Sequence, residues 1–365
     1  MKSIVIIGAG IIGCALAKEL AQEGTDVHVV EKNHSFGEGV TSRNSGVIHA
    51  GLYYPPHSLK SQLCQEGREL LYHWCAQKLI PHKKTGKLVV ATQLEDESWL
   101  KDLYRNALQS GVKENHLIPL TQHEIQKMSS HVKGVSALYA LESGIVDVSA
   151  LCHSFYVEAI KKSAQFYFDC EVREITHQKE SYILHTTRGD ISCDCVINAA
   201  GLYADEIARC VGIQKYTIYP WRGDYFKIKL PYLIEPLVYP VKKPKDSGLG
   251  IHLTINMQGD TFLGPDSEPA QSKEDFHAKP EKQLQFFEAA KRYLSNISFE
   301  ILTYETCGIR PKLRSFSDKE EKDFIISEDL PGFFNLVGIE SPGITASLAM
   351  ARFVRKELDK KGQNM

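Results

Sequence analysis

The chain of 365 residues has no apolar run long enough to cross a bilayer. Its longest, residues 4 to 17, falls short of the ~20 residues that a spanning helix needs. It has no excess of charge of either sign. Lys and Arg number 43 against 45 Asp and Glu, a balance that leaves no field to hold a polyanion and excludes nucleic acid as a partner. It has no CxxC, and its 9 cysteines are scattered. That argues against a disulfide framework or a zinc site, expects no metal, and fits a reducing compartment. Cys193 and Cys195, two apart, read as core residues. Neither internal repeats nor low-complexity tracts occur, and the short basic clusters, Lys83–Lys84 and Lys242, Lys243 with Lys245, read as solvated loops. The expectation is a cytoplasmic protein, with peripheral contact at the inner face of the membrane left open.

What is present begins at residue 4. Ile4 to Ile7 is an apolar strand, Gly8, Gly10 and Gly13 follow in the GxGxxG spacing, and a helix is expected over Ala15 to Glu23. After a turn at Gly24 comes a second apolar run ending in Glu31. In such a βαβ unit the first glycine permits a tight turn, the second lets backbone approach a pyrophosphate, and the third lets helix pack on strand. Glu31 is placed to accept hydrogen bonds from a ribose hydroxyl. Lys2, the apolar stretch to Cys14 and Ala15-Leu16-Ala17 imitate a signal peptide, but such a leader has no use for three phased glycines and a partner acid. The chain is expected to hold a dinucleotide.

Length exceeds one ordinary domain, so two lobes are expected. Residues 36 to 51 are rich in Gly and Ser without helical or strand period, and a stretch of that length inside a compact domain is usually functional. Ser58 reads as the N-cap of a helix from Leu59 to about Lys78 with Leu63, Gly67, Leu70, Leu71 and Trp74 on one face. Polar helices over Glu95 to Gln109 and Thr121 to Met128 suggest a surface subdomain. Strands are expected over Phe166 to Cys170, Tyr182 to Thr186 and Ile191 to Asn198, the last running into Ala199-Ala200-Gly201. From Tyr219 to Cys307 the pattern is strand-like, interrupted by one helix from Pro280 to Leu294, and a final helix spans Ile344 to Asp359. The fold class is therefore α/β: a Rossmann-like dinucleotide domain (1–80, 142–215 and 316–365) interleaved with a mixed or antiparallel-sheet α+β substrate domain (81–141 and 216–315).

Five segments carry a resemblance: Gly8 to Gly13 with Glu31, Thr41 to Gly51 (TSRNSGVIHAG), Val196 to Gly201, Gly308 to Lys312 (GIRPK), and Gly338 to Thr345 (GIESPGIT). Together they resemble the D-amino-acid-oxidase-type FAD-dependent oxidoreductases, with the glutathione-reductase-like FAD domain. The string from Asn44 to Tyr54, with Ser58-Leu59-Lys60 and Cys64 after it, is most similar to the L-2-hydroxyglutarate dehydrogenases and oxidases. Asp224 stands where that resemblance leads one to expect Glu.

The resemblance implies FAD rather than a nicotinamide. It implies that Gly8, Gly10, Ile11, Ile12, Gly13, Glu31 and Lys32 hold the ADP half, together with Val172, Ala199, Ala200 and Gly201. Ser42, Arg43, Asn44, Ser45 and Gly46 would run beside the flavin, with Gly308, Arg310, Glu340, Ser341, Pro342, Gly343, Ile344 and Thr345 at its reactive end. Arg310 would grip the substrate carboxylate, for which a guanidinium is suited.

Oxidation of a 2-hydroxy acid needs a base for the hydroxyl proton, and histidine is suited to it. His49, in the flavin-side loop, is the first choice and His252 the second. A five-carbon dicarboxylate calls for a second cation, for which Lys312 and Arg222 are the options, while Tyr54 is expected in the pocket wall. The expected activity is FAD-dependent oxidation of an L-2-hydroxy acid, most simply L-2-hydroxyglutarate to 2-oxoglutarate. The alternative is an amine or amino-acid oxidase of the same fold, glycine- or sarcosine-oxidase-like. Whether oxygen, a quinone or a carrier protein takes the electrons is not legible in the sequence.

Overall fold

The computed structural model describes residues 2–362 except 180, 244–249 and 319, so Lys245 lies outside the described residues. Strand Lys2–Ile7 runs up the middle of a six-stranded sheet, flanked in parallel by Thr25–Val30 and Cys195–Asn198. Gln165–Tyr167 lies outside the first neighbour and Phe333–Val337 outside the second, both parallel, and Ile325–Leu330 closes the edge antiparallel. Central parallel strands are covered on both faces, which explains their unbroken Val and Ile. One face carries helices Ile11–Leu20, Leu59–Gln77, Val148–Lys161 and Gly343–Gly362, meeting in a core of Leu16, Leu63, Leu71, Phe155, Met350 and Val354. The other face is covered by a three-stranded antiparallel sheet (Val172–Gln178, Ser181–Thr186, Gly189–Cys193), whose Tyr182 and Leu184 pack on Val5 and Val196.

A second sheet has nine strands. Tyr219–Ile228 is its longest interior strand and pairs over its whole length with Leu302–Lys312. Thr261–Leu263, Leu253–Ile255, Leu237–Pro240, Lys87–Ala91, Ser136–Ala140 and Leu117–Thr121 continue the sheet, and Glu268–Pro269 completes it. Among the described residues only the pairing of Leu237–Pro240 with Lys87–Ala91 is parallel in this sheet. Helix Gln283–Lys291 covers one face through Phe286 and Ala290. A small sheet of Val47–Ile48, Gly144–Val146 and His82–Lys83 joins the two units.

Several expectations shift. The strand expected over Ile191 to Asn198 is two strands in different sheets, because Asp194 turns its carboxylate onto the Ser3 N–H at 2.8 Å and leaves the ladder. Cys193 and Cys195 on either side are both buried. The first helix starts at Ile11 and ends at Leu20, earlier than Ala15 to Glu23. The strand expected to reach Cys170 ends at Tyr167, ahead of Asp169 with its φ of 52°. Strands Leu117–Thr121, Ser136–Ala140 and Val172–Gln178 were not expected from the sequence, being short or rich in polar residues, and the strand-like stretch expected to end at Cys307 runs on to the end of Leu302–Lys312. Pro311 sits inside the last of these, which among the described residues has a partner strand on one side only, where a missing N–H costs no ladder bond.

Ser58 caps its helix by accepting from the Ser61 N–H at 3.1 Å, and that helix crosses Gly343–Gly362 at Gly67. A Cβ on Gly67 would stand 2.7 Å from Ala346 Cα. Gly67→Ala is therefore expected to cost ~1–3 kcal/mol by overpacking. Thermal unfolding should show a lower Tm than wild type, and an unchanged Tm would mean the two helices part without penalty.

Candidate active site

A continuous cavity of about 680 Å³ runs from the glycine turn after the first strand to the middle of the nine-stranded sheet. At its first end Gly8 adopts φ +104°, and a Cβ there would stand 2.7 Å from the Ala199 carbonyl oxygen. A Cβ on Gly13 would collide with the Gly8 carbonyl, so helix and turn touch through bare backbone. Glu31 Oε2 accepts from the Ala9 N–H at 2.8 Å and Oε1 from the Asn33 N–H at 2.9 Å. Its carboxylate thus ties the glycine turn to the end of the second strand. Gly10, Ile11, Ile12, Lys32, Val172, Ala199, Ala200 and Gly201 line this end, with the Lys32 ammonium 3.3 Å from the Tyr203 ring centroid. Thr41, which sequence reasoning passed over, accepts from the Ile11 N–H at 3.0 Å and fixes the loop against the helix start.

Arg43, Asn44, Ser45 and Gly46 form the middle of the wall. The loop shape comes from Asn44: its amide donates to Thr41 O at 2.6 Å while its Oδ1 accepts from the Gly46 N–H at 2.9 Å. An Asn side chain that mimics a backbone turn in this way is its ordinary use in loops. Ser42, expected beside the cofactor, instead donates to Gly39 O at 3.0 Å and faces a separate hollow behind the loop. Tight turning of residues 39 to 42 rotates it away.

At the far end stand His49, Tyr225, Tyr239, His252, Gly308, Arg310, Lys312 and the segment from Glu340 to Thr345. Thr345, near the start of the last helix, accepts from the His49 N–H at 3.0 Å, and His49 Nε2 hydrogen-bonds the Ser341 hydroxyl at 3.0 Å. Burial, with Lys87 and His252 nearby, holds the His49 imidazole well below its usual pKa. His252 Nδ1 lies 2.8 Å from Gly250 O, an atom that only accepts, so Nδ1 carries the proton and Nε2 the lone pair. Burial is the main cause that pushes the His252 pKa down to about 3, with Lys87 and Arg310 adding to it against the Gly250 bond. Both imidazoles are neutral at pH 7.

Arg310 gives Nη1 to Ser267 Oγ at 3.2 Å and Nη2 to Asp266 O at 2.7 Å, both neutral acceptors. Among the described residues no carboxylate reaches its guanidinium. Gly223 opposite leaves that room, since a Cβ there would collide with Nη2.

Lys312 lies on the same edge of the cavity, two residues on. Its ammonium, however, is taken by Glu321 at 2.7 Å and Glu340 at 3.3 Å. Glu340 also binds Lys60 at 2.9 Å, and these two lysines outweigh burial to hold its carboxyl below the usual range. Arg222 does not reach the cavity at all. It is fully buried, binding Asp224 at 2.6 Å and Asp275 at 3.1 Å, because alternation along its strand turns it to the face opposite Gly223. Tyr54 stands behind the wall, its hydroxyl 3.4 Å from Ser341 Oγ. Lys87 was missed by sequence reasoning. The signal available was a charged residue heading the wholly apolar run Leu88 to Ala91, a strand buried throughout.

A glycine turn against a parallel sheet, an acid gripping that turn, and a long cavity leading to neutral imidazoles and an open arginine define a flavin-dependent oxidoreductase. The chain belongs to the FAD-dependent oxidoreductase family, whose model, described as FAD dependent oxidoreductase, matches residues 3–356. It is 34% identical to the mitochondrial L-2-hydroxyglutarate dehydrogenase of Arabidopsis thaliana, covering 96% of this chain and 82% of that protein. It is 34% identical to the L-2-hydroxyglutarate dehydrogenase of Indibacter alkaliphilus, over 88% of this chain and 81% of that one. Among solved structures, L-alpha-glycerophosphate oxidase of Mycoplasma pneumoniae with FAD bound superposes with TM-score 0.85 at 25% identity, over 96% of this chain and 94% of that one. Glycine oxidase from Geobacillus kaustophilus has the same fold, with TM-score 0.83 at 21% identity, over 99% of this chain and 95% of that one.

FAD is the cofactor, and the backbone cradle at Gly8 and Gly13, which no side chain could enter, fits a pyrophosphate. Glu31→Ala would orphan the Ala9 and Asn33 amides that hold the glycine turn. Retained FAD, read as flavin absorbance per protein after gel filtration, is expected to fall at least tenfold, with Glu31→Gln intermediate. Wild-type retention in Glu31→Ala would show that the acid does not hold the turn.

Proposed function

We propose that this enzyme oxidises an L-2-hydroxy acid to the 2-oxo acid, with L-2-hydroxyglutarate, the substrate named for the two sequence relatives above, as the first choice. The observation that carries the reading is Arg310, open to a carboxylate on the same cavity wall as two neutral imidazoles. We read the six-stranded sheet and its helices as the FAD-binding unit (1–80, 142–215, 316–365) and the nine-stranded sheet as the substrate unit (81–141, 216–315). Bound FAD supplies the hydride acceptor.

The chain's own residues do the rest. Arg310 binds the substrate carboxylate by charge-assisted hydrogen bonds. His252 presents a lone pair at Nε2, which can only accept a hydrogen bond, so it receives the substrate O–H and then its proton as the Cα hydrogen leaves. Burial makes His252 a weak base in the empty cavity. A carboxylate anion beside it raises its basicity at the moment the base is needed. His49, tied to Ser341 and Thr345, closes the wall on the other side. This order of roles reverses the one expected from sequence, and the reason is the fixed tautomer of His252. With Lys312 held by two glutamates, Arg43 is the other arginine of the wall with no carboxylate partner among the described residues, its guanidinium lying over Phe276 at 4.3 Å. It is the candidate for a second carboxylate.

Anaerobic mixing with both enantiomers of a set of hydroxy and amino acids tests the activity: an L-2-hydroxy acid should bleach the flavin, and bleaching by amino acids alone would move the enzyme to the amine oxidases. Arg310→Met should raise KM by about 10- to 100-fold, the loss of a charged hydrogen bond. His252→Ala should lower kcat by roughly 10²- to 10⁴-fold. A larger loss in His49→Ala, with His252→Ala near wild type, would transfer the base to His49.

A further inference from the structure

Lys87 is a buried cation with no anion beside it. It is 1% exposed, and among the described residues no carboxylate lies within ion-pair distance of its ammonium. Its neighbours are aromatic: the Tyr239 ring centroid lies 4.1 Å from Nζ and that of Tyr53 6.0 Å away. Tyr239 in turn stacks on His252 at 3.7 Å between ring centroids. Strand order explains the row, since Lys87–Ala91, Leu237–Pro240 and Leu253–Ile255 are successive neighbours in the nine-stranded sheet. Lys87 thus stands one aromatic ring behind the wall that His252, His49 and Tyr239 give to the cavity. An ammonium buried there, among tyrosine rings and the Cys64 thiol with no carboxylate beside it, is costly until an anion arrives to balance it.

We propose that Lys87 is the positioning charge of the substrate chamber: an anion entering beside Arg310 is bound together with a proton, and Lys87 is where that proton resides. The inference rests on the carboxylate-binding reading of the cavity. It adds that the chamber selects anions through a charge that is switched on by binding rather than permanently present.

The groups facing Lys87 leave it as the one that titrates near neutrality. They are His49 and Tyr53 on the loop before helix Leu59–Gln77, Cys64 on that helix, Tyr239 on its strand and His252 ahead of the next. Burial brings the Lys87 pKa down to about 7, with Cys64 acting weakly against it. Burial also pushes the Cys64 thiol up to about 12 and raises both tyrosines, while both histidines are lowered.

A group whose protonated form binds the anion makes affinity fall as pH rises above its free pKa, by tenfold per pH unit while the bound form stays protonated. The test titrates the FAD-loaded enzyme with oxalate, a small dianion, following the flavin spectrum from pH 6 to 9. Oxalate affinity should be highest at pH 6 and fall about tenfold per unit above pH 7 in wild type. Lys87→Arg, charged at every pH, should flatten that slope to less than threefold overall. Lys87→Met should bind at least tenfold more weakly at pH 6 and show no slope. If Lys87→Met does not retain FAD, the wild-type and Lys87→Arg slopes decide. Equal slopes in wild type and Lys87→Arg, a wild-type slope in Lys87→Met, or no oxalate binding at pH 6 overturns the proposal. The result stands apart from the substrate reading, because oxalate reports on the chamber whether or not a 2-hydroxy acid bleaches the flavin.

Discussion

Everything in this molecule depends on one contact between bare backbones. Gly8 turns with φ +104° against Ala199, where even a methyl group would stand 2.7 Å from a carbonyl oxygen. That contact exists because the first strand is paired in parallel with Cys195–Asn198, a strand nearly two hundred residues later. It fixes the distance between the glycine turn and the Ala199-Ala200-Gly201 bend, and so fixes the width of the cavity at this end. Glu31 then locks the same turn from the other side through the Ala9 amide. A nucleotide site made this way needs no side chain to reach the phosphate region, only the exclusion of side chains from it.

The reactive end is assembled by a similar economy. Thr345 reaches from the start of the last helix to the His49 amide, and Gly67 lets that helix lie against Leu59–Gln77 closely enough for the reach to work. The loop that carries His49 is therefore held by helix packing away from the cavity wall. Overpacking at one glycine would loosen the geometry of a histidine on another segment.

The first βαβ unit, the cap at Ser58, the asparagine-built loop and the final helix were legible because each is a local device: glycine spacing, a capping hydroxyl, apolar periodicity. The nine-stranded sheet was legible as a short strand over Leu88 to Ala91 and as strand-like character between Tyr219 and Cys307. Its strand order depends on pairing residues 87 to 91 with 237 to 240, which no local pattern encodes. Asp194 shows the limit at close range. Its neighbours alternate as one strand should, yet the hydrogen bonds between Asp194 and Ser3 mark the point where they divide between two sheets.

Cations were the least legible residues of all, because what a charge does is set by what stands opposite it in space. Arg222 and Arg310 lie on paired strands with ordinary sequence neighbours. Arg222 meets Asp224 and Asp275 and becomes internal structure, whereas Arg310 meets only a carbonyl and a hydroxyl and is left open. Lys312 points at the cavity but arrives already bound by Glu321 and Glu340, so its charge is balanced before any ligand enters. Lys87 is the converse, one aromatic ring behind the wall and with no carboxylate within ion-pair distance among the described residues. In a low-dielectric interior an unbalanced charge acts over longer distances than a paired one at the surface. The lysine farther from the cavity is for that reason the one whose charge the chamber feels.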